Sequence, residues 1–165
     1  MTSCMGGSFR LGFLLTWPIL AGPRARVDYL GRKGLTIQHM QARKLGLKGG
    51  QRVSLDEPPA GWALTDPPDG LEAVGADAPA DVIVAFFTRA AEIAARLPAL
   101  AERIYPAGAV WAAWPRRAGG HTSDITDNVV REHALALGLV DVKVAAIDDD
   151  WSGLRLVWRV VNRGR

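Results

Sequence analysis

Two uninterrupted apolar runs, Val82-Ile83-Val84-Ala85-Phe86-Phe87 and Ala109-Val110-Trp111-Ala112-Ala113-Trp114, constrain this chain more than anything else in it. A run of strand length with no polar alternation has no face to offer water, so both of its faces must be covered by helices or long connections. Between the runs, Ile93, Leu97, Leu100 and Ile104 recur at helical spacing along one face. Thr88 stands where its hydroxyl can cap that helix, and Pro98 predicts a kink or a split within it. Tyr105-Pro106-Ala107-Gly108 supplies the turn into the second run. Strand, helix and strand in this order predict a right-handed parallel crossover.

The flanking segments extend the same architecture. A basic helical stretch over Thr36–Leu45 stops at Gly46, and Gln51–Leu55 reads as a first strand with Val53 and Leu55 as its apolar positions. Residues 56–80, rich in Pro and Gly, have room for at most a turn of helix near Trp62 and a short strand at Leu71–Val74. After a polar loop, Pro115–Ser123, a helix is expected from about Asp124 to Leu137, with Asp124 and Asp127 favourably placed at its positive end and Gly138 after it. Val140–Ile147 and Leu154–Val161 form an antiparallel hairpin joined through residues 148–153. The fold class that results is α/β: a small Rossmann-like, mostly parallel sheet with helices on both faces and a C-terminal antiparallel hairpin.

Length and composition fit one domain: 165 residues, 48% hydrophobic and 22% charged. The net charge of +3 is unevenly spread. Residues 1–52 hold nine basic residues against Asp28 alone, giving +8, while the remainder holds eleven against sixteen acidic residues, giving −5. We read residues 1–26 as a disordered or mis-assigned leader, with Val27 or Met40 as alternative starts, and 27–165 as a single α/β domain. The apolar run Leu11–Leu20 after Arg10 has some character of an export signal but is too short to span a bilayer. Cys4 is the single cysteine, so no disulfide forms within the chain, a reducing compartment suffices, and a cytoplasmic location is expected.

Linked motifs carry a resemblance. Tyr29-Leu30-Gly31, Lys44-Leu45-Gly46-Leu47-Lys48-Gly49, Ala113-Trp114-Pro115 and the stretch from Thr122 to Val144 followed by Trp151-Ser152-Gly153-Leu154-Arg155 resemble a family of small bacterial (actinobacterial-type) proteins, the domain of unknown function 3052 family. The resemblance spans about residues 28–160. Arg116-Arg117 and Gly119-Gly120 stand where that family more often has lysines and fewer glycines. At the level of the fold, Leu100–Trp111 and the final hairpin resemble class I methyltransferases that use S-adenosylmethionine. That likeness implies a glycine-rich turn after the first strand and an acidic residue after the next. Here the turn is Asp56-Glu57-Pro58-Pro59-Ala60-Gly61, whose two prolines supply no N–H donors.

The best functional candidate is the loop 115–123, because it follows a buried strand and opens a helix, the position at which open α/β sheets hold ligands. Arg116 and Arg117, the glycines Gly119 and Gly120, the hydroxyls of Thr122 and Ser123 and the helix N–H groups together suit a phosphate or carboxylate. On the plainer reading, Thr122 or Ser123 merely caps the helix. Trp151, Ser152 and Arg155, read as parts of a tight turn, add an aromatic face, a hydroxyl and a cation that could wall a pocket. Asp148-Asp149-Asp150 lacks the ligand spacing of a calcium loop, and His133, on a helical face with Val129 and Leu137, reads as a flank of the core. No catalytic residue, metal site or cofactor is supported by a motif. The leading reading is a non-catalytic binding or interaction module for a small anionic ligand or a protein partner. The alternatives are a nucleotide- or S-adenosylmethionine-dependent enzyme of degenerate methyltransferase type and, less favoured, a nucleic-acid-associated protein using the basic N-terminal arm.

Overall fold

A helix too short to stand alone, α1 (Gln41–Leu45), opens the part of the chain that the computed structural model describes, residues 41–164. The basic leader, Cys4, Tyr29–Gly31, His39 and the first half of the predicted helix 36–45 lie outside the described residues. Six strands follow: β1 (Arg52–Asp56), β2 (Glu72–Ala73), β3 (Val82–Phe86), β4 (Ala109–Pro115), β5 (Leu139–Ala146) and β6 (Trp151–Trp158). They form one sheet in the order β2-β1-β3-β4-β6-β5. β2, β1, β3 and β4 are mutually parallel, and β6 runs antiparallel to both β4 and β5. This is the mostly parallel, Rossmann-like sheet with an antiparallel C-terminal hairpin that the sequence pattern predicts.

Every residue of β3 and β4 is buried, as their unbroken apolar runs require. α2 (Ala90–Arg103) and α3 (Asp127–Leu137) cover one face, where Ile93, Leu97, Leu100 and Val130 pack on Ile83, Val110, Ala112, Leu154 and Leu156. The other face is covered by Ala42 and Leu45 of α1, with Trp62, Leu64 and Leu71 of the connection after β1. Trp111 fixes α1 there, its indole N–H donating to the Leu45 carbonyl at 2.9 Å.

Several local expectations are corrected. α2 is one continuous helix through Pro98, because its buried stripe holds both halves against the sheet. Arg89, not Thr88, is its N-cap; Thr88 instead bonds the Glu92 carboxylate, which turns back onto the Thr88 N–H at 2.8 Å and the Thr88 hydroxyl at 3.1 Å. α3 begins at Asp127, three residues later than expected, and its cap is Thr126 rather than Thr122 or Ser123. Its fully buried positions are Val130 and Ala134, while Val129, His133 and Leu137 flank the core as the sequence reading expects. The segment near Trp62 is no helix. Trp62 N–H bonds the Pro59 carbonyl at 2.9 Å across a tight turn, and Gly61, at φ 76°, takes the left-handed position that a type II turn requires. β2 shrinks to two residues, and the hairpin connection is only residues 147–150, since β6 already begins at Trp151.

Gly153 explains why β6 can start so early. A Cβ at this position would lie 2.7 Å from Cδ1 of Ile147 and 3.2 Å from the Trp111 ring. Glycine lets the hairpin close directly over two fully buried side chains.

Candidate functional site

The strand order reverses at β1, with β2 on one side and β3 on the other. The carboxyl ends of β1 and β3 therefore bound the crevice in which sheets of this kind hold ligands. This chain closes that crevice with its own groups, on both faces of the sheet. On the α2 face, Arg96 donates through Nη2 to Asp56 Oδ2 at 2.7 Å and to the Phe86 carbonyl at 2.7 Å, and its guanidinium lies 4.4 Å from the Phe87 ring centroid. The Arg96 and Asp56 side chains are 27% and 19% exposed, so the pair is largely desolvated. Two turns further along α2, Arg103 binds Ser54 Oγ at 2.7 Å and the carbonyls of Gly75 and Ala78, which ties the return from β2 to α2. Burial pulls the Arg103 guanidinium below its ordinary pKa, against the pull of Asp56 and Asp77.

On the opposite face an aromatic cluster does the closing. Phe86, the last residue of β3, makes edge contacts with Trp62 at 4.8 Å and with Trp151 at 5.0 Å between ring centroids. The Trp62 indole N–H donates to Asp148 Oδ2 at 2.8 Å. Between these two faces, the positive end of α2 is also occupied. Glu92 accepts from Thr88 N–H, and that bond, the largest influence on it, holds its carboxyl below the usual range. Asp124 Oδ1 takes the Ala90 N–H at 2.9 Å. Asp124 thus caps α2, not α3 as the sequence suggests.

The predicted loop lies at the same carboxyl edge, following β4. Pro115 is the cross-strand partner of Trp151, and Trp114 of Ser152, so the loop and the start of β6 are adjacent. Arg116 turns inward: its N–H bonds the Asp150 carbonyl at 2.7 Å and its guanidinium the Asp148 carbonyl at 3.3 Å. Arg117 begins a short 3-10 turn, Arg117–Gly119, that ends on Gly120 at φ 75°. Arg117 and Thr122 are exposed, and among the described residues Arg117 has no ion-pair partner. Ser123 is used locally, donating to the Thr88 carbonyl at 3.0 Å and accepting from Ile125 N–H at 3.1 Å. His121 Nε2 stands 3.8 Å from Asp150 Oδ1.

Trp151 and Ser152 lie in strand β6 rather than in a turn, and Trp151 packs on Phe86 instead of walling an open pocket. Arg155 is four residues further along β6, roughly 13 Å away at strand spacing. It sits opposite Trp111 and Lys143, beside Gly46, with its buried Nε unpaired among the described residues. The structure therefore brings Arg116, Arg117, Gly119, Gly120, Thr122, Ser123, Trp151 and Ser152 together and leaves Arg155 apart. Sequence reasoning missed Asp56, Arg96, Trp62 and Asp148. An open depression of about 630 Å³ lies elsewhere, between α1 and residues 66–69, and takes in none of the predicted site residues. Among the described residues no helix is long and apolar enough to cross a membrane.

No family model matches the chain, and no curated protein is similar to it. Several solved structures are similar to part of the chain at low identity. One is magnesium protoporphyrin IX methyltransferase from Synechocystis PCC 6803 with bound SAH, with a TM-score of 0.39 and 12% identity over 59% of this chain and 54% of that one. This chain thus spans about half the length of that enzyme. A provisionally assigned methyltransferase from Thermoplasma acidophilum gives 0.43 and 8% over 69% and 70%. A protein of the NADB-Rossmann superfamily from Streptococcus agalactiae gives 0.44 and 9% over 75% and 69%.

Proposed function

We propose that this chain is a non-catalytic binding or interaction module, with an anion-accepting loop at residues 115–123. The observation that carries this reading is the closed crevice. Asp56 is committed to Arg96, the first N–H of α2, that of Ala90, to Asp124, the Thr88 N–H just before the helix to Glu92, and Phe86 to two tryptophans. The exposed guanidinium of Arg117, the Thr122 hydroxyl and the backbone around Gly119 and Gly120 remain at the carboxyl edge to meet a phosphate or carboxylate. Arg116 serves this loop by holding it to the hairpin tip. Kinship with the domain of unknown function 3052 family rests on the linked motifs, and a cytoplasmic location on the single cysteine.

A second reading, a nucleotide- or S-adenosylmethionine-dependent enzyme of methyltransferase type, is favoured by the switch point between β1 and β3. The turn after β1 weighs against it. Pro58 and Pro59 give no N–H donors, and Glu57 at φ 49° directs the chain into the segment carrying Trp62.

Calorimetry separates the two. Pyrophosphate binding that Arg117→Ala weakens roughly ten- to a hundred-fold, the equivalent of one charge-assisted hydrogen bond, supports the loop. Pyrophosphate affinity unchanged by the substitution rejects it. S-adenosylmethionine should show no saturation at millimolar concentration, and micromolar affinity would favour the enzyme reading instead.

A further inference from the structure

Trp62 is held in a manner that describes a ligand as well as a side chain. Its ring lies edge-on to Phe86, which is in turn flanked by Trp151, and its one polar atom meets a carboxylate whose orientation is fixed. Asp148 Oδ1 accepts from the N–H groups of Asp150 and Trp151 at 2.9 and 2.8 Å, so Oδ2 alone faces the indole. The segment that delivers Trp62, residues 57–70, contains no helix or strand and is mostly exposed. Besides Trp62, the half-buried Leu64 and the bonds from Thr65 to Gln41 hold it, and the Gly50 N–H donates to the Gly70 carbonyl at 2.9 Å at its end. The hairpin tip that presents Asp148 to Trp62 also presents the carbonyls of Asp148 and Asp149 to Arg116 and the carboxylate of Asp150 to His121. The aromatic slot and the cationic loop are thus two sides of one tip.

We propose that Trp62 is a displaceable plug in a slot for a planar heteroaromatic ring bearing an N–H donor, a nucleobase, whose attached phosphate reaches the loop at 115–123. This inference rests on the anion-accepting reading of that loop and names its ligand class, a nucleoside phosphate. Aromatic edge contacts suit any base. The carboxylate restricts the choice further, because it can only accept and has one oxygen free of other bonds. Adenine and cytosine each offer one amino group and so match Oδ2, and of the two the fused-ring adenine matches the two-ring indole that now fills the slot; guanine presents two adjacent donors where one acceptor is available. Ligand entry requires the 57–70 segment to lift, so the wild-type protein binds weakly and removal of the plug strengthens binding.

The test is calorimetry on the full chain with adenosine 5′-monophosphate, guanosine 5′-monophosphate, adenosine and pyrophosphate. Trp62→Ala should bind the adenosine monophosphate at least tenfold more tightly than wild type and prefer it to the guanosine monophosphate. Free indole at millimolar concentration should compete with it. Adenosine should show the same gain, since it reports the slot alone, while pyrophosphate should bind wild type and variant equally, since it reports the loop alone. Equal or absent adenosine binding in wild type and variant, or binding that indole does not displace, overturns the slot. Failure of the loop reading looks different: Arg117→Ala then leaves pyrophosphate unaffected while the adenosine gain persists. Should Trp62→Ala not fold, Trp62→Phe keeps the ring and loses the N–H to Asp148. It should bind adenosine several-fold more tightly than wild type, and no gain there also overturns the proposal.

Discussion

Replacing Arg96 by Ala measures how firmly the crevice at β1 and β3 is shut. The substitution removes two bonds of 2.7 Å, to the Asp56 carboxylate and the Phe86 carbonyl, and the stacking of the guanidinium at 4.4 Å from the Phe87 centroid. A hydrogen bond to a charged group contributes about 1.5–3 kcal/mol and a partly exposed cation–π contact about 0.5–1 kcal/mol. Both bonds share Nη2, and the side chains keep 27% and 19% of their exposure, so water recovers part of the loss. Alanine adds no helix penalty. The net expectation is a loss of about 2–4 kcal/mol, a large fraction of a typical domain's stability of about 5–15 kcal/mol. Urea unfolding should show it as a lower midpoint at unchanged slope. In a double-mutant cycle with Asp56→Ala, the coupling should be at least about 1 kcal/mol. A loss below about 0.5 kcal/mol would mean a solvent-screened pair of the surface kind, and the crevice would have to be regarded as open.

Gly153→Ala should destabilise by about 1–3 kcal/mol, the usual cost of overpacking, because its methyl meets Ile147 and the Trp111 ring; a melting temperature equal to wild type would show that the hairpin can shift aside. Acid should weaken the fold. The Arg52 N–H is the largest influence lowering Asp81, as the Thr88 N–H is for Glu92. Both carboxyls therefore stay ionised in the folded state below their unfolded values of about 3.9 and 4.3. Their stabilisation is fully present above those values and is lost as the pH falls through and below them. Melting temperatures measured from pH 6 to pH 3 should fall, and Glu92→Gln should make the fall shallower; identical slopes would remove Glu92 from the account.

The fold was legible where burial dictates pattern. Val82–Phe86 and Ala109–Pro115 are apolar on both faces because both faces are covered, and the stripe Ile93, Leu97, Leu100 and Ile104 is apolar on one side because only one side meets the sheet. Pattern said less about where elements begin. Thr122, Ser123 and Thr126 are all competent caps, and what selects Thr126 is outside local sequence. Ser123 is drawn off to the Thr88 carbonyl and Asp124 to the Ala90 N–H, both across the gap between β3 and β4. Pro98 likewise signals a break that tertiary burial of Ile93, Leu97 and Leu100 overrides.

The candidate site divides along the same line. The loop 115–123 could be proposed because arginines, glycines and hydroxyls adjoin in sequence, and its place at the carboxyl edge follows from β4 being a parallel strand. The groups that close the crevice could not, since each is ordinary alone. Asp56 and Arg96 are 40 residues apart and Trp62 and Asp148 are 86 apart, and only the sheet order makes them neighbours. Their significance is also relational. A charged pair of this sort adds little stability over an apolar pair of similar shape, so its place at the strand ends bounding the ligand crevice calls for another reason, and occupation of that crevice by the chain itself is one. Arg96→Met with Asp56→Leu separates the two roles: stability near wild type together with new adenosine binding would show that the pair serves to exclude a ligand, whereas a stable variant that still binds none would leave it a packing solution.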